Sequence, residues 1–320
     1  MRFCFPVHAR TLFLLCASVT LGIAPCGAQQ EGQIQRAETL QDTPGLRGSG
    51  FLNFNQTQED DIYTPATPGD DDIGLQLLLK EEDEAKYFTF YASAAGYYTT
   101  NIALTNSPEV DGAFFSEQAG LTYSRPLGGS LVGFLAVRQQ SIRYDRLSGF
   151  DFDSLIGDVG LTYIAREFYD LNIYFRYRYN RLMEPFFGDG FFDNNTLTFG
   201  FQRYWNYSRG IWFYAGAEGI FGYSEPSVNQ RDSGVLYFGG NVDLTRRLAV
   251  QLFYSMAYHA YNNIERDDFN QNLSLLFIFQ LTDWASINFQ GSWANNISSR
   301  SVFDYDAFNL GGGLQVQLEF

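Results

Sequence analysis

The chain holds two histidines, His8 and His259. His8 falls in an N-terminal apolar leader, so imidazole chemistry in the processed protein would rest on His259. Ser255, Asn262 and Asn263 lie close to it in sequence. A serine nucleophile needs a base within hydrogen-bond reach and a third group that orients the base. The chain has no Gly-x-Ser-x-Gly, no His-Glu-x-x-His and no His/Asp cluster at metal-ligand spacing. His259 is therefore expected to be a polar filler near a rim. No catalytic residue, metal ligand or cofactor site is assigned, and a lipid-modifying activity at His259 stays as the residual enzymatic alternative.

A second chemistry lies in charges on alternate positions. Arg176 and Arg178 stand two residues apart, which puts both guanidinium groups on one face of an extended segment. By the same parity Arg138, Asp158, Glu218, Asn241 and Asp243 fall on the polar faces of their own segments. Two readings stand side by side. These residues form a salt-bridge network that closes a narrow interior, or they line a polar path whose arginines select solutes. A third pattern is aromatic. Phe150-Asp151-Phe152-Asp153, the stretch 186–193 and Phe303-Asp304-Tyr305-Asp306 mix Phe or Tyr with Asp, and exposed aromatics at that density cover something. Phe152, Phe187, Phe192, Phe303 and Tyr305 are the candidates for a lid, with a constriction folded into the mouth, or a surface for sugars or cations, as the alternatives.

What positions these residues follows from the elements. The chain has 320 residues, a net charge of -15, 18% aromatics and a mean hydropathy of -0.19. Beyond the N-terminus no apolar run reaches the length of a membrane-spanning helix, and the acidity argues against nucleic acid. All three cysteines, Cys4, Cys16 and Cys26, lie in the leader, so a processed chain carries no thiol, which suits an oxidising compartment. From 86 onward the side chains alternate. Twelve segments are predicted as strands, near 86–99, 113–124, 130–143, 154–165, 170–182, 195–206, 210–223, 233–244, 247–260, 269–281, 285–296 and 308–320. In the fifth, Leu171, Ile173, Phe175, Tyr177 and Tyr179 oppose Asn172, Tyr174, Arg176, Arg178 and Asn180. An Arg facing lipid at mid-membrane would cost about 2–4 kcal/mol, which fixes the register. The connections alternate short and long. Tyr123, Trp205, Tyr207 and Trp284 mark the short-turn end, and Tyr98, Tyr144, Tyr179, Tyr223, Tyr261 and Trp293 the long-loop end, as interfacial belts.

The last stretch, 308–320, reads FNLGGGLQVQLEF. Leu314, Val316, Leu318 and Phe320 alternate with Gln315, Gln317 and Glu319, and the chain stops on the aromatic. This resembles the C-terminal signature of Gram-negative outer-membrane β-barrels, and the alternating segments over 85–320 resemble porin-like barrels of undescribed function. The resemblance implies an all-β fold: one transmembrane antiparallel barrel of about twelve strands, with short periplasmic turns and longer outer loops. It implies location in the outer membrane, surrounding lipid, and insertion machinery that reads the terminal strand, with Phe320 as the closure signal.

Residues 1–28 are expected to be a signal peptide with Arg2 and Arg10 before the apolar run from Thr11 to Ala24. Acylation of Cys26 is the competing expectation, and Pro25 argues against it. Residues 29–84 are acidic and are expected to be a largely disordered periplasmic segment with one short apolar stretch at 73–80, for which a docking peptide or a plug at the barrel mouth is the sharper alternative. The functional expectation is a passive channel for small polar solutes. The alternative is a closed structural or docking barrel that recruits a periplasmic partner through 70–84.

Overall fold

The computed structural model describes residues 29–40 and 86–320. The expected signal peptide, the 73–80 stretch and the 70–84 docking segment lie outside the described residues.

Twelve antiparallel strands close into a barrel. In chain order they are β1 (Phe88–Thr99), β2 (Gly112–Gly128), β3 (Leu131–Tyr144), β4 (Phe152–Ala165), β5 (Leu171–Met183), β6 (Gly190–Ser208), β7 (Ile211–Glu225), β8 (Arg231–Asp243), β9 (Leu248–Tyr261), β10 (Asp267–Thr282), β11 (Ala285–Ser298) and β12 (Tyr305–Glu319). Each pairs with its sequence neighbours, and β12 returns to β1 with Thr89 opposite Glu319. The closure is completed past the last strand residue. Phe88 and Phe320 exchange both backbone hydrogen bonds at 2.9 Å, and their rings stack 5.7 Å apart. Closure matters because an open edge would leave unpaired N–H and C=O groups in hydrocarbon.

The predicted strands and their alternation of short and long connections are as expected, but the strands run further. β4 begins at Phe152 and β6 at Gly190, so residues counted as loop are wall. At the short-turn end Gly129 and Gly210 supply the left-handed backbone of two tight turns, with φ of 59° and 78°.

The outer face is apolar. Leu135, Leu161, Phe175, Phe199, Leu236 and Phe289 stand 45–59% exposed around the circumference. A continuous apolar band of this extent is unstable against water and is the surface that lipid covers. Opposite parity puts polar and aromatic side chains inside. That parity corrects two belt assignments: Tyr144 and Tyr261 are 8% and 7% exposed and point inward, because each falls an odd number of positions from the lipid-facing residues of its strand.

The largest departure is α1, residues 29–40, which the sequence placed in a disordered tail. It is a helix inside the barrel at the long-loop end. An isolated helix of this length is marginal in water, so its order comes from the wall around it. Ile34, Ala37 and Leu40 recur every third residue and pack on Ile102, Phe114, Ile142, Phe152, Leu182 and Phe192.

Candidate functional site

The lumen is occupied in layers, and α1 is the outermost. Its charges are matched by the wall. Arg36, 1% exposed, donates from Nη1 to Asn309 Oδ1 at 2.7 Å and from Nη2 to the Asn101 carbonyl at 2.6 Å, and its guanidinium lies 5.4 Å over the Phe114 ring. Glu31 pairs with Arg266 at 3.0 Å and accepts from the Tyr261 hydroxyl at 3.3 Å. Glu38 pairs with Arg231, and Gln33 donates to the carbonyls of Gly149 and Asp151, both at 3.2 Å. Burial alone would push the Arg266 guanidinium down, but the bond to Asp268 and the charge of Glu31 more than offset this, so Arg266 is raised above its ordinary value and stays a cation.

Gly32 shows why the helix fits. A methyl group there would run into the Ala103 carbonyl. A mid-helix glycine costs about 1 kcal/mol relative to alanine; here it permits the close approach of helix and loop. The spacing of Ile34, Ala37 and Leu40, with Gln35 donating to Glu31 one turn back at 3.0 Å, was the available helix signal. It was masked by the polar composition around it.

Beneath α1 lies a polar cavity of about 130 Å³ lined by Arg176, Arg178, Glu218, Arg231, His259 and Asp268 among others. On the scale of about 10–15 Å³ per probe-sized water it has room for several waters. The charged layer follows. Asp158 is held by Arg178, with Nε to Oδ1 at 2.7 Å, and by Arg138 at 3.6 Å. Glu218 faces Arg176 at 3.9 Å and accepts from the Tyr174 hydroxyl. The hydroxyls of Tyr174 and Tyr237 lie 3.0 Å apart, and Tyr237 donates to Gln202 at 2.9 Å. Five of the seven lumen candidates from the sequence, Arg138, Asp158, Arg176, Arg178 and Glu218, therefore meet in one layer. Asn241 is buried but donates to Asp243 at 2.8 Å nearer the short-turn end, and Asp243 sits in the exposed last position of β8.

Below that layer the lumen is lined by aromatics that parity arguments passed over. Tyr214, Tyr237 and Phe253 form a buried cluster joined by Tyr204 and Trp212, with Tyr91 and Phe134 also turned inward. Several lie flat over glycines of a neighbouring strand. A methyl at Gly200 would sit 2.5 Å from Tyr174 Cζ, and one at Gly160 2.5 Å from Phe134 Cε1.

The lid expectation needs correction. Phe152, Phe192 and Tyr305 are strand residues, 0%, 2% and 4% exposed, and turn inward. Phe152 and Phe192 pack in the cluster that holds α1. Phe303 lies under the Arg266 guanidinium at 3.6 Å. Phe187 stays 62% exposed and covers nothing. The helix sits in the mouth, and the aromatics of this region seat it.

His259 is inside the wall, with Nδ1 2.7 Å from Ser233 Oγ. Register decides this contact: Ser233 lies directly opposite His259 on the neighbouring strand. Sequence proximity had pointed to Ser255, Asn262 and Asn263. Asp268 faces His259 from β10 but is engaged by Arg266. Among the described residues no group of three His, Cys, Asp or Glu is arranged to hold a metal ion.

No family model and no curated protein matches the chain. Among solved structures it is similar to an outer-membrane channel from Pseudomonas putida F1, at 9% identity over 73% of this chain and 96% of that one with a TM-score of 0.49. It is also similar to the NanC porin, at 6% identity over 71% and 100% with a TM-score of 0.44. The translocator domain of the autotransporter NalP from Neisseria meningitidis gives 9% identity over 73% and 90% with a TM-score of 0.41. Likenesses this distant carry no argument about activity. The closed wall, the apolar exterior and the polar, filled interior make this chain an outer-membrane β-barrel with a helix of its own in the mouth.

Proposed function

We propose that the protein is a gated channel for small polar solutes, closed at rest by α1. The observation that carries this is the seating of the helix: two ion pairs, an arginine anchor and a polar cavity directly beneath. A permanent stopper would be more stable with apolar contacts, because burying ion pairs offsets much of their attraction with desolvation. Charges that regain water when the helix withdraws make a contact that can be released. Arg176 and Arg178 below the plug would then meet the solute, as would the Ser233–His259 pair, which serves here as polar lining.

The test is single-channel recording of the chain from Gln29 to Phe320 in planar bilayers. The unmodified protein should be mostly closed, and Glu31→Gln with Glu38→Gln should raise the open probability. Charge reversal of Arg176 and Arg178 should then move ion selectivity toward cations. A second reading is a closed structural barrel. It is favoured by the aromatic layer of Tyr214, Tyr237 and Phe253, which packs inside the barrel without any residue of α1. Silence of every plug variant in the bilayer would replace the channel with this reading.

A further inference from the structure

The wall carries a feature that a channel does not need. Arg203 of β6 faces outward: it alternates with Gln202 and Tyr204, whose side chains engage the lumen, and it shares its face with Phe201 and Trp205, 48% and 41% exposed. It lies two residues past the apolar band, level with the aromatic girdle of the short-turn end. Its guanidinium carbon is 4.8 Å from the Tyr169 ring centre and 5.3 Å from that of Trp205. Among the described residues no carboxylate pairs with Arg203, and its Nε, shielded from water, has no hydrogen-bond acceptor. Tyr169 is delivered by a turn in which both Tyr169 and Asp170 adopt left-handed backbone, with φ of 60° and 58°. Such a turn normally takes Asn-Gly, so the bulky ring there is held against a local conformational cost.

We propose that Arg203, Tyr169 and Trp205 form a binding site for the phosphodiester of a phospholipid in the leaflet at the short-turn end, which is the periplasmic leaflet of an outer-membrane barrel. Two aromatic faces hold the guanidinium flat. With Nε shielded, its two terminal Nη groups are left for forked hydrogen bonds to two phosphate oxygens, which is the geometry arginine supplies and lysine does not. The acyl chains continue along Phe201 and Phe199, the apolar residues that follow on the same face of β6 toward mid-membrane. Position matters in a second way: an outward arginine costs about 2–4 kcal/mol at mid-membrane and close to nothing at the interface. Arg125 of β2, at the same end of the barrel but four strands away, has one ring, Tyr87 at 5.6 Å. Arg203 combines two rings with an unmatched donor.

The experiment is native mass spectrometry of the full detergent-solubilised chain with phosphatidylglycerol, with diacylglycerol, and with phosphatidylglycerol in the presence of excess inorganic phosphate. The unmodified protein should retain a phosphatidylglycerol adduct and no diacylglycerol. Arg203→Gln should lower the adduct by about fivefold, the factor associated with one basic residue at an anionic lipid surface, and Arg246→Gln in a nearby turn should leave it unchanged. Equal retention of diacylglycerol by the unmodified protein overturns the proposal without recourse to any variant. So does an equal loss in Arg246→Gln, which would mean diffuse charge attraction. Displacement by inorganic phosphate would assign the site to the free anion and overturn the lipid.

Discussion

If α1 is a releasable plug, removing its two ion pairs must raise the population of withdrawn helix by a calculable amount. Glu31 and Arg266 are 8% and 1% exposed at 3.0 Å, and Asp268 still holds Arg266 when Glu31 becomes glutamine. The loss is then that of one hydrogen bond to a buried charge, about 1.5–3 kcal/mol. Glu38 and Arg231 are 28% and 14% exposed, and a solvent-screened pair of this kind contributes about 1 kcal/mol or less. The double variant Glu31→Gln, Glu38→Gln should therefore favour withdrawal by about 2–4 kcal/mol. At about 1.4 kcal/mol per factor of ten, that is a rise of about 30- to 700-fold in the open population. The assay uses the chemistry of the chain itself. From Gln29 onward there is no cysteine, so Leu40→Cys introduces a single thiol at a site 3% exposed inside the barrel. Replacing Leu by the smaller Cys avoids overpacking. When opening is fast relative to modification, the rate of labelling by a charged maleimide follows the open population. The rate should rise by the same 30- to 700-fold in the double variant. A rise of less than about threefold, in a barrel that still shows folded mobility on unheated gels, would refute the latch and with it the gating argument.

Other outcomes follow from the same geometry. Gly32→Val should also expel the helix without changing any charge, because its side chain meets the Ala103 carbonyl; the Leu40→Cys labelling rate should rise in that background too, and an unchanged rate would mean that the helix shifts to accommodate it. Gly200→Val places a branched side chain against the Tyr174 ring and should lower stability in urea by about 1–3 kcal/mol or more, the usual range for overpacking. Arg178→Ala removes the closest partner of Asp158, which is 4% exposed, and should cost about 1.5–3 kcal/mol, because Arg138 still holds the carboxylate. Replacing both residues with apolar ones of similar size should cost less, and a double variant as unstable as the single would show that the charges act separately.

Much of the wall was legible in the sequence because its cause is local. Period-two alternation reports which face each side chain takes, so the positions of twelve strands, the inward set Arg138, Asp158, Arg176, Arg178 and Glu218, and the outward set including Phe175 and Phe289 follow from neighbouring residues alone. The terminal Phe320 carries its meaning in the same way, through one strand and its end. The belt assignments of Tyr144 and Tyr261 failed where position along the strand was weighed above parity. The lid assignments of Phe152, Phe192 and Tyr305 failed because the strands run beyond the point where the turn signals begin.

Tertiary structure alone decided what fills the barrel. Arg36 meets Asn309 across 273 positions and Glu38 meets Arg231 across 193, and no local periodicity encodes such pairs. The polar side chains that gave 29–40 the look of a solvated tail are the ones the lumen satisfies, so composition pointed away from order. Ser233 reaches His259 only once the register between β8 and β9 is set. Tyr174 can lie flat only because the β5–β6 register puts Gly200 directly opposite it. Alternation fixes the direction in which a side chain points; what it touches depends on how a closed wall brings distant segments to the same depth.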